Sequence, residues 1–134
     1  MKLLENIKQN EALIQLIKYG LVGVVNTLIT AVVIAIFLKV IGTSDFIANI
    51  CGYIAGLINS FLLNKKWTFS AHGNWLKELV VFLLGFLFCY VIQYALVYSL
   101  NNHTSYDRLY NHFIGMVFYT LINFAFNKFV TFRK

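Results

Sequence analysis

The stretch that decides the fold is Tyr19 to Leu38, YGLVGVVNTLITAVVIAIFL, twenty consecutive residues without a charge. A hydrocarbon layer of about 30 Å is crossed by roughly 20 helical residues, so this segment is long enough to span a bilayer once. Three more stretches of the same kind follow: Phe46 to Asn64 with nineteen residues, Leu79 to Leu100 with twenty-two, and Leu109 to Asn127 with nineteen, in which His112 alone can titrate. Inside hydrocarbon every backbone N–H and C=O has to be satisfied within its own segment, which selects helices. The sequence therefore predicts an all-α integral membrane four-helix bundle, one domain over residues 1–134, with spans at about 19–38, 46–64, 79–100 and 109–127.

Composition agrees. Of 134 residues 60% are hydrophobic and only 12% charged, there is no proline, and mean hydropathy is +0.73. A soluble domain carries about twice that charge, so a soluble globular enzyme is excluded. The net charge of +6 does not form a nucleic-acid-binding stripe, because the basic residues flank apolar runs. Lys2, Glu5, Lys8 and Glu11 interrupt any short apolar leader, and no cleaved signal is expected. Cys51 and Cys89 fall inside apolar runs and read as small buried hydrophobes.

Nine of the eleven Lys and Arg residues (Lys2, Lys8, Lys18, Lys65, Lys66, Lys77, Lys128, Arg133 and Lys134) fall on one side of the four spans, and only Lys39 and Arg108 on the other. The positive-inside rule then places both termini and the middle loop in the cytoplasm. Trp67, Phe69, His72 and Trp75 in that loop suit headgroup depth. Leu3, Leu4, Ile7, Ile14 and Ile17 recur at helical spacing before the first span, as either a surface-lying amphipathic segment or an extension of that span.

Sliding the chain by 63 residues lays Gly52 on Gly115, Phe61 on Phe124, Asn64-Lys65 on Asn127-Lys128 and Thr68-Phe69 on Thr131-Phe132. A slide of 62 lays Gly23 on Gly85, a weaker match. The chain reads as two tandem parallel helical-hairpin repeats, related by an axis along the membrane normal. Gly20, Gly23, Gly52 and Gly56 supply small surfaces for helix packing. Asn26, Asn59, Asn64, Gln93, Asn123 and Asn127 are costly to leave facing lipid and must turn toward one another, a partner chain or a wet groove. Lys18, Val22 and Asn26 share one helix face, a candidate path for a polar group.

No Asp or Glu lies in any of the four stretches, which disfavours proton-coupled efflux of a cation, a process that needs an intramembrane carboxylate. No metal-spaced cluster, paired carboxylate or phosphate-binding glycine loop is present, so neither covalent catalysis nor a cofactor is expected. Amides and hydroxyls ending in cytosolic lysines suit an anionic lipid headgroup.

The motifs Lys18-Tyr19-Gly20-Leu21-Val22-Gly23-Val24-Val25-Asn26-Thr27, Asn59-Ser60-Phe61-Leu62-Leu63-Asn64-Lys65-Lys66-Trp67-Thr68-Phe69 and Asn123-Phe124-Ala125-Phe126-Asn127-Lys128-Phe129-Val130-Thr131-Phe132 resemble the GtrA-like family of small four-span membrane proteins. The resemblance implies translocation of an undecaprenyl-phosphate-linked monosaccharide from the inner to the outer leaflet of a bacterial cytoplasmic membrane, for teichoic acid or O-antigen decoration. The alternative is a non-transporting subunit that anchors or activates a membrane glycosyltransferase. The expected headgroup contacts are Lys18, Asn26, Thr27, Asn59, Asn64, Lys65, Lys66, Asn123, Asn127 and Lys128. Expected partners are the polyprenyl-phosphate sugar, membrane lipids, a membrane glycosyltransferase and a second copy of the chain, with no nucleic acid. Where the family often has arginine this chain has lysine, which offers a point charge in place of a bidentate fork. Val130 stands where the first copy has Trp67.

Overall fold

The computed structural model describes residues 1–133; Lys134, counted above among the basic residues, lies outside them. Regular structure among the described residues is helical throughout: α1 (Lys2–Ile36), α2 (Asp45–Leu63), α3 (Trp75–His103) and α4 (Arg108–Phe126). Three of the four end in a widened last turn of five residues, Phe37–Ile41 after α1, Asn64–Thr68 after α2 and Asn127–Thr131 after α4. All four helices are long and apolar enough to cross a membrane. The helices pair in chain order, α1 with α2 and α3 with α4, to give two compact units, Met1–Ser70 and Ala71–Lys134.

Three of the four starts have a local cause. Ser44 accepts from the Ile47 N–H before α2, Asn74 from Lys77 before α3, and Asp107 from Leu109 before α4, satisfying N–H groups that have no partner within the helix. Asn74→Ala is expected to cost about 1 kcal/mol, read as a lower melting temperature in detergent. The first hairpin turns at Gly42, whose φ of 76° is a left-handed conformation open to glycine, while Thr43 donates to Phe37 O at 2.9 Å from its N–H.

With its wide turn, α1 is one helix of 40 residues, about 60 Å at 1.5 Å per residue. Residues 2–17 extend the span as continuous helix. The middle connection is shorter than expected. Lys65–Thr68 close α2, Trp75 opens α3, and Phe69 is turned inward against Tyr19, with ring centroids 6.3 Å apart. Its neighbours Trp67 and Trp75 are exposed.

The partition of side chains is inverted relative to a soluble protein. Leu, Ile, Val and Phe cover the exposed faces of all four helices, while Gln15, Asn64, Lys65, Thr68, Glu78, Asn111, Asn123, Asn127 and Thr131 are buried. Lipid tails take the apolar surface at no cost, whereas a polar group facing them loses its hydrogen bonds.

Within the first unit, α2 lies against α1 at two glycines. A Cβ on Gly52 would stand 2.6 Å from Ile34 Cγ1 and 3.0 Å from the Thr30 carbonyl oxygen, and one on Gly56 would collide with Thr30 Oγ1. In the second unit, Gly85 of α3 receives the Phe126 ring and Gly115 of α4 receives Val97, with Gln93 alongside. Gly20 and Gly23 make no close approach within the chain, and a Cβ at either would meet nothing within 4 Å. Neither glycine therefore contributes to the packing of α1 on α2.

Candidate functional site

In the first unit the polar residues form two levels. At the deeper one, Asn59 Nδ2 of α2 donates to Asn26 Oδ1 of α1 at 2.6 Å. The pair joins the two helices through amides that would otherwise face hydrocarbon, a contact worth up to about 1.7 kcal/mol between membrane helices. Its neighbour Thr27 does not join it: the residue is exposed, and Thr27 Oγ1 donates back to Gly23 O at 3.0 Å.

About 9 Å along α2 lies the second level, the widened turn. Phe69 N donates to Asn64 O at 2.9 Å, spanning five residues instead of four. The turn faces Asn64, Lys65, Thr68 and Phe69 inward and leaves Lys66 and Trp67 exposed. Asn64 Nδ2 donates to Ser60 Oγ at 3.2 Å, while Asn64 Oδ1 and Thr68 Oγ1 are buried with no hydrogen-bond partner. Lys65 is only 2% exposed. A lysine expected to carry its charge out to the phosphate layer is thus held inside the protein, where an ammonium is expensive unless compensated. Lys18 reaches the same level from α1. Its Nζ donates to Trp67 O at 3.4 Å and lies 5.4 Å from the centroid of the Trp67 ring, a cation–π geometry. Between Lys18 and Asn26 the shared face is closed by Val22, which is buried in the packing between them.

The second unit repeats the lower level. Phe132 N donates to Asn127 O at 2.8 Å. Asn127, Thr131 and Phe132 face inward while Phe129 and Val130 are exposed. The Phe82 and Phe132 rings meet at 6.2 Å, a spacing close to that of Tyr19 and Phe69. Lys128 differs from Lys65 in being half-buried, with its Nζ 5.9 Å from the centroids of Phe124 and Phe129. Asn123 Nδ2 donates to Tyr119 Oη at 3.2 Å. At the deeper level Cys89 and Ile122 stand 63 residues after Asn26 and Asn59, so the second unit has no amide pair there.

Both wide turns end helices, where carbonyl groups give the negative end of the dipole. A phosphate cannot be held there by backbone as it is at a helix start, so any anion depends on lysine ammonium groups. Wide turns of this type are frequent at functional positions.

Reading the sequence missed three buried polar residues that matter. Thr68 and Thr131 were visible in the repeated signature but carry hydroxyls that helices usually satisfy themselves. Asn111, fully buried, donates from Nδ2 to Asn101 Oδ1 at 2.8 Å and ties the α3 and α4 ends together beside the short loop. Its signal was an uncharged polar residue just inside an apolar stretch.

A family model for the GtrA/DPMS transmembrane domain matches residues 18–132. The chain is 34% identical over 70 residues to a prophage bactoprenol-linked glucose translocase homolog of Escherichia coli (strain K12), covering 52% of this chain and 57% of that protein. It is 37% identical over 89 residues to the uncharacterized membrane protein YngA of Bacillus subtilis (strain 168), covering 63% and 57%. It is 32% identical over 71 residues to the bactoprenol-linked glucose translocase of Shigella phage SfII, covering 53% and 58%. The match thus spans little more than half the length of these relatives. Because the family match takes in more than four fifths of the chain and both Asn-Lys-x-x-Thr-Phe signatures, this membrane protein belongs to the GtrA/DPMS transmembrane-domain family.

Proposed function

We propose that the protein carries a polyprenyl-phosphate-linked monosaccharide from the cytoplasmic to the outer leaflet of a bacterial cytoplasmic membrane, where the sugar decorates a surface polysaccharide of the teichoic acid or O-antigen type. The observation that carries this reading is the polar lining closing each unit: Asn64, Lys65 and Thr68 in one, Asn127, Lys128 and Thr131 in the other, set at the ends of otherwise lipid-facing helices. The two relatives named for bactoprenol-linked glucose supply the chemistry of the cargo. Lysines draw the phosphate, amides and hydroxyls replace the water that the sugar sheds, and the prenyl chain stays in lipid. Synthesis on one face and consumption on the other set the direction, so the protein performs no covalent step and is not an enzyme.

The two units act as tandem copies of one hairpin, inserted the same way up with both termini cytoplasmic. A constant offset of 63 supports this: it relates the wide turns, Gly52 to Gly115, and the Tyr19–Phe69 contact to Phe82–Phe132. On that offset Val22, not Gly23, corresponds to Gly85. The nine-to-two distribution of basic residues supports the orientation. A homodimer gives the headgroup a larger enclosure than four helices.

The test is reconstitution of the purified protein in liposomes with a labelled polyprenyl-phosphate hexose, following its exposure at each face. The expected result is equilibration without ATP or an ion gradient. Movement no faster than in protein-free vesicles, together with stable co-purification of a membrane glycosyltransferase, would instead establish the anchoring role.

A further inference from the structure

Threonine hydroxyls within the helices and their closing turns fall into two groups. Thr27, Thr104 and Thr120 donate to the carbonyl four residues earlier, at 3.0, 2.6 and 2.9 Å, as helix threonines commonly do. Thr68 and Thr131 are more deeply buried than any of these, yet neither hydroxyl has a hydrogen-bond partner. Both lie in a wide turn, where the carbonyls of Asn64 and Asn127 accept from the N–H groups of Phe69 and Phe132 five residues on, and neither hydroxyl makes the back-bond. Each signature therefore builds a buried hydroxyl without the bond that helix threonines commonly make.

A buried hydroxyl without a partner is costly, and valine would fill the same volume without that cost. The chain carries the feature twice, at residues 63 apart. Beside Thr68, Asn64 Oδ1 is a second buried polar atom without a partner, and it is an acceptor. A phosphate oxygen can accept from a threonine but cannot donate to an amide oxygen, and it is repelled by the carbonyls at a helix end. A sugar hydroxyl both donates and accepts, so it matches the threonine and the amide oxygen together.

We propose that Thr68 and Thr131 bind hydroxyl groups of the sugar, with Asn64 Oδ1 as acceptor in the first unit, so that the two wide turns select the glycosylated lipid over bare polyprenyl phosphate. This rests on the transport reading above and adds what distinguishes loaded from unloaded carrier. Lysines supply attraction common to both lipids; the hydroxyls respond to the sugar alone.

The experiment compares the full chain with Thr68→Val, Thr131→Val and Thr68→Ser, in detergent or nanodiscs, against two probes: polyprenyl-phosphate hexose and polyprenyl phosphate without sugar. Each valine is expected to weaken binding of the glycosylated lipid by about 3- to 10-fold, the worth of one neutral hydrogen bond. Binding of the bare lipid stays unchanged, melting temperature stays the same or rises, and serine retains selectivity. Equal losses on both lipids would reassign the hydroxyls to phosphate and overturn the proposal. A lowered melting temperature with valine would overturn it by revealing a structural bond, such as one to an ordered water. Wild-type protein that binds the sugar lipid while both valine variants match it would defeat this inference alone, whereas wild-type protein that binds neither lipid would remove the transport reading and this one with it.

Discussion

Asn26→Leu is expected to lower translocation of the lipid-linked sugar by about 10- to 100-fold, the loss of one or two hydrogen bonds to a desolvated headgroup. The 2.6 Å bond between Asn26 and Asn59 makes this variant structural as well as functional. Removing one amide leaves the other half-buried between apolar helices, at an expected cost of about 1–2 kcal/mol in stability. The double variant Asn26→Leu/Asn59→Leu removes both and is expected to recover most of that stability, since two packed leucines leave nothing unsatisfied. Translocation stays low in both variants. Melting temperatures and liposome assays on this set separate the two contributions. Transport that returns with stability in the double variant would reduce the pair to a structural rivet and remove it from the headgroup path.

Gly52→Val is expected to have the largest effect on folding. The added Cβ would lie 3.0 Å from the backbone oxygen of Thr30, which has no rotamer with which to retreat, and 2.6 Å from Ile34 Cγ1. Forcing the helices apart costs about 1–3 kcal/mol and also stretches the Asn26–Asn59 bond nearby. Gly20→Ala and Gly23→Ala should behave oppositely. Space at both is open, so alanine gains up to about 1 kcal/mol of helix stability by reducing the freedom of the unfolded chain. The contrast is readable in melting temperature and in the yield of folded protein from membranes. Damage from Gly23→Ala equal to that from Gly52→Val would place another surface against that side of α1.

The spans were legible because charge is excluded from hydrocarbon: each of the four uncharged stretches lies inside one helix with its closing turn. Their ends were not. Helices continue through interfacial residues whose charges are harmless in water, so α1 takes in residues 2–18 and α3 takes in Trp75 to Glu78. Among site residues, the transfer cost of an amide marked Asn26, Asn59, Asn64, Asn123 and Asn127, but cost alone names no partner, and only geometry joined Asn26 to Asn59. Thr68 and Thr131 escaped because a threonine normally closes on its own helix, and a five-residue hydrogen bond leaves no periodicity to find. Gly20 and Gly23 differ from Gly52 and Gly56 in that no close approach of α2 uses them: a glycine permits close approach without obliging any helix to make it.

The 40 residues of α1 and its wide turn measure about 60 Å, roughly twice the hydrocarbon thickness. An upright rod of that length cannot be swallowed by tilting, since even a 40° inclination leaves about 45 Å along the normal. Part of the rod has to lie beyond the hydrocarbon, and its N-terminal stretch carries Lys2, Glu5, Lys8 and Glu11 alongside Leu3 and Ile7. On the transport reading proposed above, cargo arriving from that side would pass this charged length of rod before it reached the apolar layer.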